Sequence, residues 1–434
     1  MSKRLKVLVS AYSCEPGSGS EPGVGWDWIG QIARYHDVWA LTRTNNRAAI
    51  ERAIAREPLP GVRWIYYDLP AWARFWKRGK RGVALYYYLW QAAIFPLVRR
   101  AHRETGFDLI HHVTFGKYWA PSFISLLDVP FVWGPVGGAE SAPASFWKTF
   151  SWRGRAYEAA RVIGRAAEDL DPFVRMTARR SALGLAKTAE TARTLERLGC
   201  RVARVCSEVS LPAAELRALG AIARNDEAPL QFLSTGRLLH WKGFHLGLEA
   251  FARFEREFGA GRYVFIGNGP ERRNLERIAA RLGVAGKVSF RGNLPRSEVL
   301  AELARSHVLV HPSLHDSGGW VCIEAMAAGR PVICLDCGGP AMQVTPATGC
   351  KIPADTPARA IGAITAAMLA LARDAGLRER LGEGGRRRVA QDFLSDHKAA
   401  ALAAAYDEIL GGIGADADAV AEPSAGARRQ GRMR

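Results

Sequence analysis

In the first part of the chain, short apolar runs alternate with longer segments in which apolar residues recur every three or four positions. The short runs are KVLVSA, DVWALT, VRWIYY, DLIHHV and PFVWGP, and the longer segments span 24–35, 46–55 and 83–104. Apolar runs with little polar alternation predict strands that are buried on both faces. Such strands, separated by helices, predict a mostly parallel sheet covered on both sides.

The same alternation begins again at Leu230. Further runs, LQFLSTG, YVFIGNG, KVSFRG, HVLVHP and PVICL, are separated by helical segments over 243–258, 271–282, near Arg296 and from Val321. Two doubly wound domains of about 200 residues each suit a chain of 434 residues. The predicted organisation is an N-terminal domain over 1–205, a linker region over 206–229, a C-terminal domain over 230–410 and a disordered tail over 411–434.

The composition suits a folded protein, and its formal net charge of +18 would suit nucleic acid, an anionic membrane or a phosphorylated substrate. Basic residues are spread along the chain, which weighs against a nucleic-acid-binding protein. Seven scattered cysteines include one CLDC, which is more typical of a strand end than of a redox pair. The cysteines, together with an N-terminal apolar run too short for a secretory signal, predict a reduced, cytoplasmic protein. The longest apolar stretch, 82–98, is short for a bilayer span and contains three tyrosines and a proline, so no transmembrane helix is predicted.

The most informative motif is HPSLHDSGGWVCIEAMAAGRPVI, residues 311–333. A predicted strand ends in a glycine loop that leads into a helix, so free helix-start amides can attract a diphosphate. The residues at this loop and helix start are Gly318, Gly319, Trp320 and Val321. Asp316 and Glu324 flank the loop, and carboxylates accept paired hydrogen bonds from the vicinal hydroxyls of ribose and sugars. The alternative is a capped helix over small buried residues.

This motif resembles that of the retaining glycosyltransferases of family 4, which have the GT-B fold, and EAMAAGRPVI is close to the family's EAMA-x-G-x-PVI run. The resemblance implies that Glu324 binds the ribose of a nucleotide and that Asp316 meets hydroxyls of the transferred sugar. Asp316 replaces a glutamate of the family pattern, and Gly318 stands where an aromatic residue is usual. From Val7 to about Leu410, the resemblance implies two Rossmann-like domains facing a deep interdomain cleft.

Other positions of the C-terminal half also match the family. Arg237 and Lys242 stand five residues apart across a strand-to-helix turn. The resemblance implies that they hold the donor diphosphate and stabilise its growing negative charge. The alternative is a solvated basic loop. Further implied donor contacts, at two strand-end glycines and around the base, are Gly267, Gly269, Arg291 and Leu294.

In the N-terminal half, four glycines precede the first predicted helix without the G-x-G-x-x-G spacing of a dinucleotide loop. The resemblance implies that one of them, Gly23, lies closest to the donor phosphates. His111 and His112 end the fourth predicted strand, at the edge where open α/β sheets bind ligands. The resemblance implies that one of the two contacts the donor sugar. The choice between them stays open, and a core histidine is the alternative for the one that points away.

The segment 72–81 interleaves tryptophan and phenylalanine with basic residues. Such a mixture favours the headgroup layer of an anionic membrane, although a helix packing its aromatic residues on the sheet is an equal alternative. Its basic residues include Lys77, Arg78, Lys80 and Arg81. We therefore predict a peripheral protein at the inner face of the membrane, acting on a glycan or lipid-linked acceptor.

The catalytic candidates contain no D-x-D pair at a strand end, and Asp416-Ala417-Asp418 falls in the predicted tail. We therefore predict a transferase that uses a nucleotide sugar without a metal or other cofactor. The rival interpretations are another enzyme of similar architecture, such as a nucleotide-sugar epimerase or a pyridoxal phosphate phosphorylase, and a nucleic-acid-binding protein. The sequence does not predict which sugar, which base or which individual acceptor takes part.

Overall fold

The computed structural model describes residues 3–18, 21–77, 79, 82–168, 170–223 and 229–421. The strands are β1 (Lys6–Ala11), β2 (Asp37–Thr42), β3 (Val62–Tyr66), β4 (Leu109–Thr114), β5 (Phe131–Val136), β6 (Ser181–Ala186), β7 (Ala203–Val205), β8 (Leu230–Thr235), β9 (Gly261–Ile266), β10 (Val288–Gly292), β11 (Val308–His311), β12 (Val332–Leu335) and β13 (Gly349–Ile352). They form two parallel sheets, ordered β3-β2-β1-β4-β5-β6-β7 and β10-β9-β8-β11-β12-β13.

Helices connect the strands and cover the sheets. They are α1 (Glu21–Ala33), α2 (Arg47–Arg56), α3 (Ala71–Arg74), α4 (Val83–Thr105), α5 (Trp152–Glu168), α6 (Pro172–Arg180), α7 (Ala189–Leu198), α8 (Ala213–Gly220), α9 (Phe244–Phe258), α10 (Arg272–Arg281), α11 (Arg296–Arg305), α12 (Trp320–Ala327), α13 (Gly338–Gln343), α14 (Pro357–Arg373), α15 (Ala375–Asp392) and α16 (Ser395–Ala421).

In each sheet an early strand lies at the point where the strand order reverses. Strand β1 lies between β2 and β4, with Val7 opposite both Val38 and Leu109. Strand β8 has the same position between β9 and β11. In open α/β sheets ligands bind beyond the carboxyl ends of the strands at such a reversal. The predicted fold class of two doubly wound domains is confirmed, while β6, β7 and β13 were not predicted.

Helix α16 packs on the N-terminal domain, whereas the predicted bounds place residues up to 410 in the C-terminal domain. Its Leu402 and Tyr406 are buried in the same core as Val7 and Trp28. These apolar residues recur at helical spacing and complete a core that the N-terminal strands begin. The helix continues to Ala421, so the part of the predicted disordered tail over 411–421 is helical. The rest of that tail, 422–434, lies outside the described residues.

Conversely, a segment of the N-terminal half packs on the C-terminal domain. Phe146 and Phe150, in and after the 3₁₀ helix Ala144–Thr149, are buried in one core with Leu238 and Phe244. Helix α5 begins two residues after Phe150. It therefore starts against the C-terminal domain although it precedes β6 of the N-terminal sheet.

The predicted linker region over 206–229 carries structure of its own. Leu211 and Leu219 are buried in the C-terminal core. The amide of Leu211 donates to the carbonyl of Phe393 at 2.8 Å, and the amide of Ser395 donates to the carbonyl of Leu211 at 3.0 Å. The chain passes between the domains twice, near Leu211 and near Ser395. These two connecting segments lie side by side, an arrangement that allows hinge motion.

Within the described ranges, no single helix is long and apolar enough to span a bilayer. Helices α14 and α15 meet the length and composition criteria only when taken together, and they are bent by 105° with respect to each other. Both contribute buried side chains, such as Met368 and Val389, to the C-terminal cores.

Candidate active site

A cleft of about 1200 Å³ lies between the two domains. Residues from both halves line it, including Glu21 and Gly23 at the start of α1 and Lys242 before α9. The predicted site residues that the structure brings together here are Gly23, Lys242, Asp316, Gly318, Gly319, Trp320, Val321 and Glu324. The C-terminal members lie beyond the carboxyl ends of β8 and β11, because each belongs to the connection that follows one of these strands or to the start of α12.

Asp316 forms the charged centre of the C-terminal side. Its Oδ2 lies 2.5 Å from Nζ of Lys242 and 3.0 Å from Nε2 of His311. Burial by itself would raise the pKa of Asp316, but the Lys242 ammonium and the hydrogen bond with His311 outweigh it and hold that pKa well below its usual range. Asp316 is therefore ionised at neutral pH, and the carboxylate fixes the position of Lys242.

The glycine loop before α12 packs closely against neighbouring segments. Gly319 precedes the helix with φ of +68°, a left-handed conformation that favours glycine. A Cβ on Gly318 would lie 2.8 Å from Oε1 of Glu208. The amide of Gly339 donates to the carbonyl of Asp316 at 2.6 Å, which ties the loop to α13. Trp320 and Val321 at the start of α12 line the cleft, and the first amides of a helix carry the partial positive charge that attracts a diphosphate.

Glu324 lies on α12, and Arg296 of α11 holds it. Nη1 of Arg296 lies 2.6 Å from Oε1 of Glu324, and Nη2 donates to Glu215 of α8 at 2.7 Å. Burial raises the pKa of the Glu324 carboxyl, and the charge of Arg296 partly opposes that shift. The sequence motif predicted Glu324, whereas Arg296 and Glu215 come from segments without a motif.

On the N-terminal side, α1 begins against the backbone of its own loop. A Cβ on Gly23 would lie 2.0 Å from the carbonyl oxygen of Ser18, so a larger residue does not fit. Oε1 of Glu21 accepts from the amide of Gly116 at 2.9 Å. The same side of the cleft holds an ion pair, with Nζ of Lys187 at 2.5 Å from Oε2 of Glu208.

Glu140 joins the two domains at the cleft and was not predicted. Its Oε2 accepts from Oγ of Ser317 in the C-terminal loop at 2.7 Å, and its Oε1 accepts from Oγ1 of Thr188 at 2.7 Å. Burial would raise the pKa of Glu140, but the hydrogen bonds from Thr188 and Ser317 prevail and lower it. A single glutamate in the irregular segment AESAP offers no periodicity or spacing from which to predict this contact.

Helix α5 also reaches the C-terminal side through Glu158. Its Oε1 lies 3.0 Å from Nε2 of His240 and 3.1 Å from Nε2 of His315. Burial would raise the pKa of Glu158, but these two histidines lower it to about 2. The rings of Tyr157 and Trp241 stack at 5.2 Å, and those of Trp241 and His315 stack at 5.0 Å. The contacts cross the domain boundary, so sequence periodicity could not indicate them.

Both predicted histidines of β4 lie in the core and not in the cleft. His111 lies 2.5 Å from Oη of Tyr406 and 2.6 Å from the carbonyl oxygen of Gly134. His112 lies 3.3 Å from Oη of Tyr87 and 3.1 Å from Oγ of Ser122. Burial lowers the pKa of His111 to about 4 and that of His112 to about 3. Neither histidine lines the cleft, because α16 covers one side of the strand and α4 covers the other.

Five more predicted donor contacts do not line the cleft. Arg237 is exposed beyond the end of β8. Gly267 pairs with Gly292, and a Cβ on Gly269 would lie 2.4 Å from the carbonyl oxygen of Leu238, so both glycines serve close packing. The remaining two are Arg291, which lines a separate pocket of about 350 Å³ and lies 3.6 Å from Glu302, and Leu294, which packs on the C-terminal core.

Within the described residues, no group of three or more His, Cys, Asp or Glu side chains is arranged to hold a metal ion. A second D-x-D sequence, Asp169-Leu170-Asp171, precedes α6. Asp171 caps that helix by accepting from the amide of Phe173 at 2.8 Å, and Asp169 lies outside the described residues.

Part of the chain matches the model of a known protein family. Residues 220–388 match the family model for glycosyl transferases group 1, a range that includes Lys242, Asp316 and Glu324. The 2-deoxystreptamine N-acetyl-D-glucosaminyltransferase of Streptomyces fradiae is 28% identical over 261 residues, 58% of this chain and 60% of that protein. The chain spans between 27% and 60% of the length of the first curated relatives it matches.

Solved structures resemble the whole fold. Sucrose-phosphate synthase from Thermosynechococcus elongatus has a TM-score of 0.63 at 19% identity, over 94% of this chain and all of that one. The trehalose-6-phosphate protein of E. coli, bound with UDP-2-fluoro glucose, has a TM-score of 0.64 at 12% identity, over 92% and 98%. The protein has the GT-B fold of these glycosyltransferase structures, as predicted.

Proposed function

We propose that this protein is a glycosyltransferase that moves a sugar from a nucleotide-diphosphate sugar to a glycan or lipid-linked acceptor, with retention at the anomeric carbon. The observation that carries the proposal is the convergence of Lys242, Asp316 and Glu324 on the glycine loop at the start of α12. The family match over 220–388 supports the reaction class, and the UDP-sugar in a structural neighbour supports the donor class.

Each of these residues suits one part of the donor. The first amides of α12 and the Lys242 ammonium attract the diphosphate. Arg296 contacts Oε1 of Glu324, so Oε2 is the atom we assign to the ribose hydroxyls. A bound diphosphate competes with Asp316 for Lys242, and Asp316 then accepts hydrogen bonds from the sugar.

The chemical step breaks the bond between the anomeric carbon and the diphosphate oxygen. Negative charge grows on the leaving diphosphate, and Lys242 and the helix-start amides stabilise it more strongly as it grows. The acceptor oxygen bonds to the anomeric carbon on the face that the diphosphate leaves. Its proton passes to an oxygen of that diphosphate, so charge and atoms balance without a covalent enzyme intermediate.

A screen of nucleotide sugars tests the proposal. A ligand that binds only the folded state raises the melting temperature, so we expect one donor class to do so. Nucleotide release that depends on an acceptor, with the sugar recovered on that acceptor, supports transfer. Interconversion of the donor sugar without nucleotide release would show an epimerase instead. Failure of every nucleotide sugar to shift the melting temperature or to be turned over would refute the proposal.

Replacing Glu324 with glutamine should remove most activity and raise the KM for the donor by about tenfold or more. The amide keeps the size of the side chain but gives up the charge-assisted hydrogen bonds to ribose. Glu298→Gln is the matched control, because Glu298 is exposed on α11 and does not line the cleft. Steady-state kinetics of nucleotide release measure the effect. Activity of the Glu324 variant within twofold of the parent would remove this residue from the donor site.

We further propose that the protein binds the cytoplasmic face of an anionic membrane through the segment 72–81. Trp72 and Phe75 are 79% and 76% exposed, and Leu85 of α4 is 58% exposed. Nζ of Lys77 lies 5.1 Å from the ring centroid of Tyr86, so the segment packs on α4. Three of its basic residues, Arg78, Lys80 and Arg81, lie outside the described residues. Exposed aromatic side chains beside basic ones suit the headgroup layer.

Cosedimentation with anionic vesicles should therefore decrease about tenfold or more in a Trp72→Ser and Phe75→Ser double variant, because each side chain buries apolar area in the membrane. Binding of the parent should also weaken as salt rises. Trp152→Ser is the control, since Trp152 is 69% exposed on a different helix. Equal binding of the parent to neutral and anionic vesicles would refute the electrostatic part of the proposal. Unchanged binding of the double variant would refute the role of this segment.

A further inference from the structure

One face of α5 forms a wall of the cleft on the side of the N-terminal domain. The residues of α5 that line the cleft are Tyr157, Ala160, Arg161, Gly164 and Arg165. Their spacing of three and four places them on one helical face. Two small residues leave room along this face, and two arginines supply positive charge. Such a wall can accommodate a ligand group that is both bulky and anionic.

The guanidinium of Arg161 is only partly used by the protein. Nη2 donates to the carbonyl oxygen of Glu140 at 2.5 Å and to that of Gly138 at 3.1 Å. Nη1 is buried and donates no hydrogen bond, and it lies 3.8 Å from Oε2 of Glu158. A buried guanidinium nitrogen without a hydrogen bond is costly unless a ligand supplies the acceptor.

Further positive charge and an aromatic ring lie at the same side of the cleft. Arg165, one turn after Arg161, donates to Oγ of Ser141 and to the carbonyl oxygen of Gly138. Lys117 and Trp119 also line the cleft, with Nζ of Lys117 at 4.8 Å from the ring of Trp119. The nearby carboxylates are engaged, because Glu140 accepts from Ser317 and Glu158 interacts with His240 and His315.

This wall stands next to the place where the sugar is transferred. Glu158 of α5 contacts His315, and His315 precedes Asp316 in the chain. A second substrate must approach the anomeric carbon from the side of the cleft that the donor leaves open. On the N-terminal side, α5 and the loop at Lys117 and Trp119 border that space.

We propose that this wall binds the phosphate of a phosphorylated acceptor, with Arg161 and Arg165 as its principal contacts and Lys117 as a third cation. The proposal rests on the proposed function, because it assigns the second substrate of the same cleft. Guanidinium groups pair with phosphate oxygens through hydrogen bonds, and Nη1 of Arg161, which donates none within the protein, can supply one of them. The phosphate can belong to a water-soluble sugar or polyol phosphate or to a lipid-linked precursor.

The test compares acceptors that differ only in the phosphate. With the donor identified by the screen, nucleotide release is measured with glucose and glucose 6-phosphate, with inositol and inositol phosphate, and, in micelles, with a sugar linked to a short-chain polyprenol directly or through a phosphate. We expect only phosphorylated members to stimulate release. The soluble pairs and the micellar pair distinguish the two sources. Equal stimulation by the neutral and the phosphorylated member of a pair would overturn the proposal.

Variants of α5 then localise the site. Arg161→Gln and Arg165→Gln should each raise the KM for the phosphorylated acceptor by about tenfold or more and change kcat less, because each removes a charge-assisted contact. Arg161→Lys should restore part of the affinity. Arg155→Gln is the matched control, since Arg155 is exposed on the same helix and does not line the cleft. If both glutamine variants had the same KM for the acceptor as the parent, the assignment of this site would be refuted.

A binding measurement separates this inference from the proposed function. Calorimetric titration with glucose 6-phosphate and inositol phosphate needs no donor and no turnover. Binding that is lost in Arg161→Gln and kept in Lys242→Ala supports the α5 wall even if transfer itself is refuted. Binding that is lost in Lys242→Ala and kept in Arg161→Gln would place the anion elsewhere and overturn the inference. Failure of these two probes and of the micellar phosphate-linked sugar to bind would overturn it as well.

Discussion

Replacing Asp316 with asparagine is expected to lower turnover by about a hundredfold, the loss typical of one preorganised contact in a transition state. The carboxylate contacts Lys242 and His311 at the centre of the cleft. Asparagine keeps the size of the side chain but removes the charge that positions the lysine and binds the sugar hydroxyls. Nucleotide release with the donor identified by the screen measures the loss.

The loss of turnover caused by Asp316→Asn should not depend on pH in the neutral range. Its lowered pKa means that the folded protein keeps the carboxylate ionised throughout that range. The stability that it contributes is fully present above the ordinary aspartate pKa of about 3.9 and is lost only as pH falls further, towards the lowered pKa. Asp336→Asn is the control, because Asp336 is exposed and pairs with Lys351 outside the cleft. A variant of Asp316 that folds, binds nucleotide sugar and turns over normally would contradict the assigned role.

The parallel sheets could be predicted because their strands carry a local signal. KVLVSA and LQFLSTG are short apolar runs followed by amphipathic helices, and they form β1 and β8 as expected. Strand β7, Ala203–Val205, is only three residues long at the sheet edge, and two of these residues are exposed. A short, half-solvated strand has little apolar pattern, so periodicity did not indicate it.

The glycine loop and its flanking acids could be predicted because all of them lie in one segment of the chain. Asp316, Gly319 and Glu324 span nine residues, and a strand-to-helix turn brings them together by local geometry. The prediction for the two histidines of β4 was less specific. A strand pattern shows which residues lie on opposite faces of the sheet, but not which elements cover each face. His111 is covered by Tyr406, which lies 295 residues later, and no local pattern contains that contact.

The rest of the cleft depends on chain crossings that sequence periodicity does not describe. Phe146 anchors the start of α5 to the C-terminal core, and α16 returns to the N-terminal one. Because α5 starts on the C-terminal domain, Glu158 lies beside His315, a contact between residues 157 apart in the chain. Helix amphipathicity predicts that one face is buried, but not which domain buries it.

Replacing Lys242 with alanine should lower turnover by about a hundredfold or more, and excess chelator should leave the parent enzyme active. The charge on the leaving diphosphate must be neutralised as the glycosidic bond breaks, and in many transferases a divalent ion does so. We propose that Lys242 and the first amides of α12 have that role here, because charge-assisted contacts in a preorganised site are strong. Lys351→Ala is the control, since Lys351 pairs with Asp336 away from the cleft. Arg237→Ala tests whether that exposed side chain moves into the cleft when the donor binds. A loss of turnover as large as that of Lys242→Ala would require such a movement. The mechanism is wrong if chelator abolishes activity and added magnesium or manganese restores it, or if the Lys242 variant turns over like the parent.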